Sequence, residues 1–172
     1  MLKAVKTGNY KRAANFGGRF AIVASQYNAR YVNAMLRAAR AELKRAGVGD
    51  AQVIRVPGAY EVPVVAERLA RGGYYNGASR RPQPAPAAII CLGVILRGQT
   101  VHAAHIGEAV SRALMEIQLR HHLPVIHEVL LLENEQQAHE RCLSRTHNRG
   151  TEAAQTALAM ARVMRRLDGP LT

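Results

Sequence analysis

The segment GVILRGQTVHAAH, residues 93–105, ends an apolar run in Arg97, Gly98, Gln99 and Thr100, and His102 follows two residues later. These residue types can do chemistry together. Gly98 lets the backbone come close to a bound molecule. Gln99 and Thr100 stand where a helix would open, and the unpaired N–H groups of a helix start, with a hydroxyl beside them, make an anion site. Thr100 equally suits a plain helix cap. The imidazole of His102 can move a proton near neutral pH, and equally suits a solvated helix position. Three further segments carry comparable groups: SQYN at 25–28, PGAYE at 57–61 and LLEN at 131–134. With Tyr27, Tyr60 and Glu61 among them, the set fits an aromatic, polyhydroxylated or phosphorylated molecule. His105 and Glu108 share a helix face, but no further ligand stands at a signature metal spacing. No metal is expected.

The elements that must position these groups follow from the apolar pattern. RFAIVAS (19–25), AQVIRVPG (51–58), AIICLGV (88–94) and LPVIHEVLLL (123–132) read as strands. Helical spacing of Val32, Met35, Leu36, Ala39 and Leu43 predicts a helix over 29–46. A second helix runs from about residue 61 or 63 to 71, since a proline is tolerated in a first turn. Ile106, Val110, Ala113, Leu114 and Ile117 mark a third, ending near His121 and His122, whose imidazoles suit the negative end of a helix. A short helix over 133–141 and a longer one over 150–167 complete the set. Residues 72–87, rich in glycine and proline, predict a loop. Strands alternating with helices predict a parallel sheet covered on both faces. In such sheets ligands bind beyond the carboxyl ends of the strands, which is where all four segments fall.

Composition sets the outer bounds. At 172 residues the chain is expected to be one domain with a sizeable core. No apolar run approaches the roughly 20 residues that span a bilayer, and the basic N-terminus lacks a signal-peptide centre. A cytoplasmic protein with no membrane partner is expected, and Cys91 and Cys142 show no metal or redox spacing. The net charge of +12 attracts anions, although most of the arginines read as solvated surface. No helix-turn-helix, RNA-recognition or zinc-finger signature is present, so a nucleic-acid partner is not expected.

VPGAYEVP (56–63), GVILRGQTVH (93–102), ENEQQAHER (133–141) and NRGTEAA (148–154), in this order, resemble segments of the lumazine synthase family. The resemblance covers about residues 18–165. It implies a flavodoxin-like, three-layer α/β/α sandwich with a mainly parallel four-stranded sheet. A basic arm (1–18) would precede the domain (19–167) and a short tail (168–172) would follow. Around 11–17 the arm would add a strand to a neighbouring subunit. The implied reaction joins 5-amino-6-(D-ribitylamino)uracil to 3,4-dihydroxy-2-butanone 4-phosphate without metal or organic cofactor. The implied assembly is a homopentamer, or a shell of pentamers, with sites between adjacent protomers.

Position by position, His102 matches the proton-transfer histidine. Gln99 and Thr100 match the loop that holds the butanone phosphate, and Arg141 of a neighbouring subunit matches its arginine partner. Tyr27 matches the aromatic that stacks on the pyrimidine, with Asn28 beside it. Ala59, Tyr60 and Glu61 match the ribityl-binding segment, where a carboxylate can accept two hydroxyl hydrogen bonds. Ile95 and Leu96 match uracil contacts. Arg149 stands for a lysine near the pyrimidine, and Glu152 matches the acid after it. His127 stands where an aromatic of the neighbouring subunit lines the pocket, and Leu131-Leu132 replaces a threonine-containing pair. Those last departures raise the alternative of a weakly active binding or shell protein with the same fold.

Overall fold

The computed structural model describes residues 16, 18–77 and 81–169. Four strands, β1 (Phe20–Ser25), β2 (Gln52–Val56), β3 (Ala88–Leu96) and β4 (Val125–Leu132), form one sheet in the order β2-β1-β3-β4. Every pairing is parallel. Parallel strands need covered faces, hence near-continuous apolar sequence, and all six residues of β1 are buried.

Helices α1 (Ala29–Arg45) and α5 (Arg149–Leu167) cover one face, packing Met35, Leu43, Ala154 and Leu158 against Ile22, Ile90 and Leu92. Helices α2 (Val62–Ala70) and α3 (His102–His121) cover the other, with Val62, Leu69, Val110 and Leu114 against Val23, Ile89 and Cys91. The result is the expected three-layer sandwich. At Gly150 even a methyl group would collide with the backbone carbonyl of Met35, so α1 and α5 cross with their backbones in contact. A carboxylate ties the opposite layer together. Glu67 of α2 lies 3.0 Å from His121 Nε2, accepts from Arg71 Nε at 3.0 Å and has Arg120 Nη1 at 3.6 Å.

Several boundaries differ from expectation. Strand β3 continues two residues past 94, because Ile95 and Leu96 stay paired with Leu131 and Leu132. Helix α3 therefore starts only at His102; Val101 occupies the cap position and no side chain caps it. Gln99 and Thr100 lie in the bend before it, and Thr100 is not a helix cap. The short helix after β4 is α4 (Glu135–Ala138), and winding then runs on as a π turn, His139–Leu143. That extension buries Cys142 on the same side as Ala138. His121 stands in the last turn of α3, as expected, and also bonds Glu67, and His122 closes α3 in the left-handed region (φ 49°). The 72–87 segment is pinned at its base: Gly73 N donates to Gln83 O and Gln83 N to Tyr74 O, both at 2.7 Å. The arm strand expected around 11–17 lies outside the described residues, apart from Phe16, which packs edge-on against Phe20 at 5.9 Å. Among the described residues no helix is long and apolar enough to cross a membrane.

Candidate functional site

The chain leaves β1 toward β2 on one side and returns to β3 on the other, so strand order reverses between β1 and β3. A crevice at that reversal is where open α/β sheets take ligands. The strand ends there are bonded into one rim. Gln26 N donates to Val56 O at 2.8 Å, and Tyr27 N to Pro57 O at 3.0 Å. Asn28, with φ 54°, reaches across the reversal to donate from Nδ2 to Val94 O at 2.8 Å. Arg97 N donates to Leu132 O at 2.8 Å, and its guanidinium holds Glu133 at 2.8 Å.

This rim carries ten of the sequence-predicted residues. Tyr27 and Tyr60 are 74% and 64% exposed, large rings left open to a stacking partner. Ala59 is buried under the β2–α2 turn, and Glu61 sits at the N-cap of α2. Gly58 N donates to Glu61 Oε2 at 2.9 Å, which fixes the carboxylate beside Tyr60. Ile95 and Leu96 are half-buried at the tip of β3; Gln99, Thr100 and His102 are exposed beyond it. Asn28 is the tenth, and its bond to Val94 O welds the β1 loop to β3.

A second set lies on β4 and the elements after it. Arg141, on the π turn, is exposed. Arg149 opens α5, where Asn148 caps by accepting from Gly150 N at 2.9 Å. Arg149 donates from Nε to Glu128 Oε2 at 3.0 Å and from Nη1 to Glu152 Oε2 at 2.6 Å. Arg149 and Arg141 both act electrostatically on Glu128 and on Cys142, which places the two guanidinium groups on one side of the molecule. His127 lies on the opposite face of β4. Ser111 Oγ donates to Gly107 O at 2.7 Å and meets His127 Nε2 at 2.8 Å, so the imidazole supplies the hydrogen of that second bond. Packing round the ring lowers the His127 pKa, which favours the neutral form.

Sequence reasoning missed Glu128. It is 6% exposed, and burial pushes its pKa up to about 7 against the opposing pull of Arg149. The signal was present: strand alternation puts position 128 in phase with Ile126, Leu130 and Leu132 on the core face. An acid in that phase of an apolar strand calls for a buried partner.

Residues 17–165 match the family model described as 6,7-dimethyl-8-ribityllumazine synthase. The chain is 38% identical over 148 residues to a protein of that name from Xanthomonas campestris pv. campestris (strain B100), covering 85% of this chain and 89% of the relative. A relative of the same name from Stenotrophomonas maltophilia (strain R551-3) is 38% identical over 151 residues, covering 87% and 90%. A third, from Xanthomonas oryzae pv. oryzae (strain PXO99A), is 38% identical over 148 residues.

Proposed function

Because the chain belongs to the 6,7-dimethyl-8-ribityllumazine synthase family, we propose that it condenses 5-amino-6-(D-ribitylamino)uracil with 3,4-dihydroxy-2-butanone 4-phosphate. The amine attacks the ketone to form an imine with loss of one water, phosphate is eliminated, and ring closure by the ribitylamino nitrogen with loss of a second water gives the lumazine. Such a sequence needs two substrates held in register and a group that shuttles protons.

The observation that carries this reading is the bonded rim at the β1/β3 reversal, with exposed His102 at its edge. In this reading Tyr27 stacks on the pyrimidine, aided by Asn28, while Ile95 and Leu96 flank the uracil. Ala59, Tyr60 and Glu61 hold the ribityl hydroxyls. Gln99 and Thr100 bind the butanone phosphate. Thr100 is free for that role, since it caps no helix. His102 takes and returns the protons of imine formation and elimination. Arg141, Arg149 with Glu152, and His127 lie on other elements and complete the pocket of an adjoining copy. The unit 19–167 carries all of these groups. Rim and β4–α5 set lie on different elements of one chain, so a contact between them is head-to-tail and forms a ring where the rotation between copies closes. A pentamer meets that requirement, and the arm 1–18 would cover the open edge of β2 in a neighbour. The buried free thiols of Cys91 and Cys142 suit the reducing cytoplasm.

Purified protein incubated with both substrates should develop the lumazine chromophore. His102→Ala should lower kcat about 100-fold with little change in either KM. A wild-type protein that forms no lumazine, or an H102A variant with unchanged kcat, would refute the assignment.

A further inference from the structure

Glu128 sits in mid-strand on β4, paired in register with Leu92 and facing α5. Enclosing a carboxylate there is strongly unfavourable unless it is paired and hydrogen-bonded. The bond to Arg149 Nε supplies the partner, across 21 residues of sequence. Glu152, one turn into the same helix as Arg149, holds Nη1.

The guanidinium is thus anchored to the sheet through one nitrogen and to its own helix through another. Among the described hydrogen bonds Nη2 makes none, which leaves its two N–H groups for a ligand. An arginine differs from a lysine in having a plane that must be oriented. One anchor lets that plane swing; two fix it. The groups facing Glu128 are Arg149 and Glu152 of α5 and Arg141 and Cys142 of the π turn.

We propose that Glu128 is a positioning residue: it fixes the Arg149 guanidinium so that Nη2 donates to an acceptor oxygen of the bound pyrimidine. The substrate named here rests on the function proposed above; the clasp between Glu128 and Arg149 does not. Near neutral pH Glu128 changes charge, since burial pushes its pKa up to about 7. The clasp is a charged pair above that value and a weaker neutral-acid contact below it.

The test uses E128Q, R149K and the double variant in the assembled full-length protein. Glutamine keeps the shape and an acceptor, so folding survives. E128Q should raise KM for the aminouracil about tenfold and change KM for the butanone phosphate less than twofold. In the R149K background the same substitution should have no further effect. The pH profile of kcat/KM for the aminouracil should lose one ionisation near pH 7 in E128Q. An E128Q effect of equal size with and without Arg149, or no effect on KM, would overturn the proposal. A readout independent of turnover is the phenylglyoxal modification rate of Arg149, followed by peptide mapping. It should rise several-fold in E128Q, and equal rates, zero included, would overturn the clasp. Failure of wild-type protein to make lumazine would instead strike the functional reading, and the modification rates would still decide the role of Glu128.

Discussion

Two arginines near one end of α5 have different tasks under the proposed function. Arg149 is clasped by two carboxylates. Burial opposes its charge, but Glu128 and Glu152 outweigh that and move its pKa up. Arg141 is exposed on the π turn, and it is the one suited to a doubly charged phosphate. A bidentate guanidinium–phosphate contact contributes about 2 kcal/mol. Arg141→Ala should therefore raise KM for the butanone phosphate roughly thirtyfold, leave KM for the aminouracil near its wild-type value, and leave the melting temperature unchanged. Steady-state kinetics with each substrate varied in turn check this. At this scale the sequence named residues whose type implies a chemistry, and the structure sets His102, Thr100 and Glu61 exposed near the strand ends. The sequence was opaque to pairings between distant segments. Nothing local to IHEVLL announces Arg149, and nothing local to NRGTEAA announces a second carboxylate.

At the scale of elements, β1 and β3 were legible as apolar runs covered on both faces, and β2 and β4 by their apolar majority despite Arg55, His127 and Glu128. Boundaries were less so. The apolar run of β3 extends to Leu96, but only the pairing with β4 decides that Ile95 and Leu96 remain strand. The π turn has no periodicity of its own to read. The α2–α3 clasp at Glu67 was likewise invisible, since its partners are 4, 53 and 54 residues away. It has a pH signature. Partial burial alone would raise the Glu67 pKa, but His121, Arg71 and Arg120 outweigh it and hold the carboxyl below 4.5. A carboxylate whose pKa is depressed by folding contributes stability above its unfolded pKa and loses that contribution as pH falls through the folded value. Glu67→Gln should destabilise the protein by about 1 kcal/mol at pH 7. The difference from wild type should shrink below about pH 4.5. Chemical denaturation at pH 7 and pH 4 measures both. A difference that persists unchanged at pH 4 would mean the clasp acts through packing instead.

For the whole molecule, the proposed function divides the pocket between the rim of one copy and the β4–α5 residues of another. Under that reading activity and assembly should rise and fall together. Light scattering should give five times 18.8 kDa or a higher multiple of five. A monomeric mass for fully active protein would be the contrary result. The charge of +12 per copy works against close approach. Phosphate or sulfate should therefore favour the assembled form, and dilution into low salt without them should release smaller species.

Clamping at Tyr74 and Gln83 gives the 72–87 segment a closed neck. Tyr74 is itself buried, and its hydroxyl donates to Gln52 Oε1 at 2.8 Å. The neck leads out from the amino ends of the strands, away from the rim. Loss of the Tyr74 hydroxyl would therefore loosen the foot of the sheet at Gln52 and leave the strand-end rim, at the opposite end, as it is.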